Sequence, residues 1–174
     1  MYPFIRMGYQ MWRHRKDAPL GPGEVHVSHH ICWPWDIDFM LELNNGRSLT
    51  LYDLGRIPYA QRSGLWDTLK RNNWLMAMAG ATVRWRRRGR MFQRLEMRTK
   101  YIGRDRRFLY LQQTLWHKEH ATSSIVYRLA ITDKNGIVHP DIVAKELPGY
   151  DVDMPLPDWV QKWIEAEDAR VWPP

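Results

Sequence analysis

The sequence predicts an α+β domain in which an antiparallel sheet wraps around one long helix. Two observations carry this. A helical pattern runs from about Asn45 to Ser63, and from Trp74 onward apolar residues alternate with their neighbours in four successive stretches. Short turns between the later stretches make antiparallel pairing the natural arrangement. A sheet with one apolar face needs a cover, which the long helix supplies.

Residues 1–22 form a basic, aromatic segment and linker. Phe4, Ile5, Met7, Met11 and Trp12 precede Arg13, His14, Arg15 and Lys16, and Pro19-Leu20-Gly21-Pro22-Gly23 then separates them from the rest. Such a segment suits a helix packed on its own domain, or one lying on an anionic membrane surface. It lacks an uninterrupted apolar core and a small-residue cleavage site, so the expected compartment is the cytoplasm, with peripheral membrane contact as the variant.

The domain proper is expected over residues 23–139. His26 to Trp35 is rich in branched and aromatic residues and predicts the first strand. Asn44 or Asn45 is placed to cap the long helix, Pro58 should bend or divide it, and Gly64 suits a left-handed end. Ala79 to Trp85, Leu95 to Tyr101, Phe108 to Trp116 and Ile125 to Ile131 then predict a four-stranded meander. Residues 140–174 form an extension, irregular at first and then helical over Asp158 to Ala169. Trp159, Val160, Trp163 and Ile164 share one face of that helix, which should dock on the sheet or on a second subunit.

At 174 residues the chain can bury a core without disulfides, and its one cysteine, Cys32, is expected to be a small buried hydrophobe. The net charge of +7 concentrates in Arg84-Trp85-Arg86-Arg87-Arg88-Gly89-Arg90 and in Arg104-Asp105-Arg106-Arg107, both where turns are expected. Clustered guanidinium groups suit phosphates, on nucleic acid or on a nucleotide-bearing ligand, and also suit a plain solvated turn. His29 and His30 are adjacent, and strand spacing puts His117 and His120 on opposite faces, so no metal site is expected. There is no Gly-rich phosphate loop and no Gly-x-Ser-x-Gly elbow, and no cofactor is expected.

The most informative run is Trp35 to Arg47, where carboxylates end an apolar stretch and asparagines open the helix. Asp36 and Asp38 should face opposite ways in an extended chain, which makes Asp36 a cap or turn residue. Asp38-x-x-x-Glu42-x-Asn44-Asn45-x-x-Ser48, with Asp53 and Arg56 further on, resembles the Asp-x-x-Gly-His-x-Asn-Asn-x-x-Tyr signature of hotdog-fold acyl-thioester hydrolases related to 4-hydroxybenzoyl-CoA thioesterase. Within that group it is most similar to the THEM-type branch, and Arg86 to Tyr110 is similar to that branch's second and third meander strands. The likeness covers roughly residues 23–138.

The resemblance implies a hotdog fold, a homodimer or homotetramer, and acyl-CoA or acyl-carrier-protein thioesterase activity. It assigns Asp38 as nucleophile or general base, with Glu42 standing where several relatives carry His. Asn44, Asn45 and backbone N–H groups at the helix start would orient the carbonyl. Phe39, Leu43 and Leu51 would line an acyl tunnel, and Arg84, Arg86 and Arg88 would hold phosphates. Ser48 in place of Tyr removes an aromatic wall, and Met40 and Leu41 replace Asn and Gly. Asp53 is a possible second acid or the partner of Arg56 or Arg47 in an ion pair. The alternatives are a noncatalytic acyl-thioester or lipid binder, or a protein that binds a membrane surface or, less in keeping with the motif, nucleic acid.

Overall fold

The computed structural model describes residues 2–171. In chain order the elements are α1 (Phe4–His14), β1 (His26–Ile31), a 3-10 turn (Pro34–Asp36), α2 (Asn45–Arg62), α3 (Leu65–Asn72) and β2 (Leu75–Trp85). There follow β3 (Arg94–Arg104), β4 (Leu109–His117), β5 (His120–Asp133), β6 (Gly136–Ile137), α4 (Pro140–Glu146) and α5 (Asp158–Ala169). The sheet is antiparallel in the order β1-β3-β4-β5-β2, with the short β6 also on β5.

Only β3, β4 and β5 form the expected meander. β2 pairs with β5 instead of β3, so the segment from Arg86 to Gln93 is a crossover between non-adjacent strands rather than a hairpin turn. Backbone bonds hold it along the way: Arg86 and Arg87 donate to Thr122 O at 2.8 and 3.0 Å, and Phe92 donates to Cys32 O at 2.7 Å. The first strand is also shorter than expected. Pro34 lacks an N–H and opens the 3-10 turn, which ends the ladder at Ile31.

The long helix matches its expected limits, from the Asn44 cap to Ser63, and Gly64 adopts φ +78°. Pro58 does not divide it. Leu54, Tyr59 and Ala60 are buried on both sides of the proline, and that packing holds the helix through the missing hydrogen bond. α2 lies against β3 so closely that Gly55 has no room for a side chain. A Cβ there would sit 2.5 Å from Met97 Sδ and 3.0 Å from Thr99 Oγ1. Gly55→Ala is therefore expected to destabilise the fold by about 1–3 kcal/mol despite its better helix propensity, measured by urea unfolding; an unchanged or higher midpoint would show that β3 yields freely.

The other face of the sheet is covered by α5, which has the limits expected for it. Val160 is fully buried among Ile102, Phe108, Tyr110, Val126 and Ala130, and the Trp163 ring meets Tyr110 edge-on at 6.3 Å. This second cover explains why β4 and β5 are buried on both faces and lose the clean alternation of a one-sided sheet. The remainder of the core joins α2, α3 and the sheet to Met7 of α1 and to Leu20. Leu20 N bonds Arg62 O at 3.0 Å and Leu20 O accepts from Tyr150 at 3.2 Å, so the Pro-Gly stretch is tied down at its centre. α3 and α4, which sequence periodicity did not single out, add Leu65, Leu69 and Val143 to this core.

Candidate active site

The carboxylate at the centre of the electrostatics is Asp36. It is fully buried, and its oxygens accept from Arg6 Nη1 at 2.7 Å, from Arg47 Nη2 at 2.9 Å and from the Trp33 N–H at 3.1 Å. It caps its own 3-10 turn, as expected for a turn residue. It also joins α1 to the first turn of α2, which the sequence did not indicate because Arg6 lies thirty residues away. Cys32 is buried beside it, and burial pushes the thiol up to about 11, as befits an inert side chain.

Asp38 to Glu42 forms a tight turn. Asp38 N bonds Glu42 O at 2.9 Å, Leu41 N bonds Asp38 O at 3.0 Å, and Ile37 and Leu43 pair across the base. One Asp38 oxygen accepts from Met40 N at 2.9 Å, and the other has no partner among the described residues. Leu41 sits at φ +58°, a left-handed conformation that favours glycine. The glycine of the related signature thus has a physical reason, and leucine at this position carries the strain instead.

The crossover from β2 runs under this turn, and Leu43 N bonds Gly89 O at 2.8 Å. Between them lies a cleft of about 230 Å³ lined by Glu42, Leu43, Asn45, Trp85, the Arg86–Arg88 stretch and Ser123. Glu42 pairs with Arg88 Nε at 2.9 Å across it. Asn44 caps α2, its Oδ1 accepting from Arg47 N at 3.0 Å, whereas the N–H groups of Asn45 and Gly46 belong to the first turn and have no helical carbonyl to bond. The helix start therefore presents donors and a partial positive charge beside the cleft.

The expected residues do not all converge. Glu42, Leu43, Asn45, Arg86 and Arg88 share the cleft; Asp38 stands just outside it on the same turn. Among the described residues the three expected tunnel residues do not meet: Leu43 lines the cleft, Phe39 is 91% exposed at the tip of the turn, and Leu51 is wholly inside the core. Arg84, still on β2, lines a separate hollow with Gln112, Ser124 and Trp159, whereas Arg86 lies past the end of the strand, in the crossover. Asp53 is committed to an ion pair with Arg56 and accepts from Tyr2 OH at 3.1 Å.

Three features were missed. Ser48, expected to leave the site without an aromatic wall, is buried with the Trp85 indole donating to its Oγ at 3.0 Å. An aromatic wall is present after all, supplied by the end of β2 rather than by the helix. His117 and His120 also do not point apart; they are cross-strand partners at the β4–β5 hairpin and line one basic hollow with Arg86, Arg87, Arg88 and Arg90. That hollow is continuous in sequence with the cleft, through the same arginines.

A curled antiparallel sheet wrapped on one long helix, with a motif turn leading into that helix, defines a hotdog protein. The chain belongs to the thioesterase-like superfamily, whose model matches residues 32–164. It is 30% identical over 146 residues to Protein THEM6 of Xenopus laevis, covering 83% of this chain and 69% of that one. Protein THEM6 of Danio rerio is 28% identical, over 77% of this chain and 66% of its own. The fold is shared with a probable thioesterase, YbaW, of Escherichia coli at a TM-score of 0.66 and 12% identity, covering 73% of this chain and 98% of that one. It is also shared with a DHNA-CoA thioesterase of Staphylococcus aureus at 0.59 and 11%, covering 83% and 91%.

Proposed function

We propose that this protein hydrolyses an acyl thioester whose thiol portion carries phosphates, as in acyl-CoA or an acyl-carrier protein. The observation that supports this best is the cleft at the start of α2, where Glu42, Asn45 and the arginines of the crossover meet beside the Asp38 turn. Family membership supports thioester hydrolysis in general.

Asp38 is the water-activating carboxylate in this reading. Its bond to Met40 N fixes the group while leaving one oxygen uncommitted. That oxygen takes a proton from water as the water attacks the thioester carbonyl carbon; the C–S bond then breaks and the proton passes to the leaving thiolate. Asn45 and the first-turn N–H groups face the oxyanion. Arg88 is exposed and held by Glu42, so an incoming phosphate would compete with the Glu42 carboxylate for the same guanidinium.

A homodimer fits the sheet. β2 is an eleven-residue strand at the edge of the sheet, and its exposed Leu75 and Met78 are better covered than solvated. Pairing through that edge would bring a second copy close to Trp85 and the crossover.

The test is hydrolysis of short, long and aromatic acyl-CoAs by wild type, Asp38→Asn and Glu42→Gln. Asp38→Asn is expected to lower kcat/KM about a hundredfold on the best substrate, because the amide keeps the Met40 bond but cannot take a proton. Glu42→Gln is expected to act mainly on KM. Equal rates for wild type and Asp38→Asn across the panel would overturn the catalytic reading.

A further inference from the structure

α1 is turned the unusual way round. Its buried face is largely polar: Gln10 donates to His29 O at 3.1 Å, His14 meets Asp17 at 2.6 Å, and Arg6 reaches Asp36 and Ile31 O. Met7 is the buried apolar residue on that side. Its outward face carries the larger apolar side chains, with Phe4 73%, Ile5 90%, Tyr9 52% and Trp12 59% exposed. A helix covering a core in water normally does the reverse.

The charge that the segment itself carries beside this face is of one sign, and the carboxylate near its Phe4 end, Asp53, is paired with Arg56. Ile5, Tyr9 and Trp12 recur at helical spacing and lead on to Lys16, while Arg13 and Arg15 are exposed in the same final turn and beyond it. The Arg15 guanidinium lies 4.5 Å from the centre of the Trp12 ring. Residues 1–16 contain no acid, and the first one, Asp17, is taken up by His14 and Arg62.

We propose that the outer face of α1 docks on an anionic lipid surface, with Phe4, Ile5, Tyr9 and Trp12 entering the headgroup boundary and Arg13, Arg15 and Lys16 meeting the lipid phosphates. Trp and Tyr are suited to that boundary, being apolar in body and polar at one end. A second copy of the same face is the poorer partner, because it would set its three cations against three like ones. The dock is built in: the inward bonds of Arg6, Gln10 and His14 hold the helix on the domain, so it presents the face without folding on contact. The inference is independent of the reaction assigned to the cleft.

The test is flotation of the whole protein with vesicles of phosphatidylcholine alone and of equal parts phosphatidylcholine and phosphatidylserine, at low and high salt. Wild type is expected to float with the anionic vesicles, less so in salt, and not with the neutral ones. The double variant Ile5→Ser/Trp12→Ser should reduce that partitioning at least about tenfold by removing apolar burial. A triple variant, Arg13→Gln, Arg15→Gln and Lys16→Gln, should reduce it by about a hundredfold or more. Both change only exposed side chains, and unchanged thermal unfolding checks that they fold. Absence of flotation with the anionic vesicles at low salt would overturn the proposal, as would undiminished flotation of both variants. A dimer in light scattering that Ile5→Ser/Trp12→Ser dissolves, without vesicle binding, would give the face to a second copy and overturn it equally.

Discussion

Replacing Asp36 by alanine is expected to lower the free energy of unfolding by about 3–5 kcal/mol. The expectation follows from what remains. Arg6 and Arg47 stay fixed by the packing of α1 and α2, now facing each other without the carboxylate, and the Trp33 N–H loses its acceptor. Both guanidinium groups are at most about a fifth exposed, so water makes up only part of the loss. Asp36→Asn should lose less, because its amide oxygen still accepts one hydrogen bond. Urea unfolding of wild type and the two variants measures the difference, and a loss below about 1 kcal/mol for Asp36→Ala would mean that the helices hold together without it.

Acid is expected to unfold this protein from an unusually high pH. His26 and His30 on β1 are buried, and burial lowers each to about 3 from the ordinary value near 6.5. Their contacts agree with neutral rings, since His26 Nδ1 faces the Arg62 guanidinium at 3.0 Å and His30 Nε2 meets Ser28 Oγ at 2.8 Å. For a base whose folded value is depressed, the unfolded chain binds more protons between the two values. Stability is therefore complete above pH 6.5 and falls as pH drops toward 3, by as much as about 1.4 kcal/mol per pH unit for each ring. Urea midpoints measured from pH 7.5 to pH 4 should fall steeply, and His30→Gln should reduce the slope by about half. A flat profile down to pH 5 would show that the rings protonate without unfolding.

The parts of the fold that local pattern determines were legible. The Asn44 cap, the left-handed Gly64 and the Asp158–Ala169 helix each depend on residues within a few positions of one another. What local pattern did not show is pairing across the chain. Nothing in Arg84 to Arg90 distinguishes a hairpin turn from a crossover, because both are short, polar and glycine-containing; the partner of β2 is decided by β5, some fifty residues later. The same holds at the site. The Asp38 turn and the start of α2 could be placed from the motif, whereas the Trp85 indole over Ser48 and the arginines opposite Glu42 arrive from β2 and its crossover. Phe39 and Leu51 were misplaced for a related reason. Apolar character alone does not separate a side chain at a turn tip from one in the core.

The crossover also bears on the order in which the molecule is assembled. Its bonds reach Thr122 at one end and Leu43 and Cys32 at the other, so the first set needs only β5 beside β2, whereas the second needs the Asp38 turn and the end of β1 in place as well. Closing such long loops is slow and is rewarded only when the distant partners have arrived. The cleft, which needs both sets of bonds, is accordingly expected to be completed late in folding.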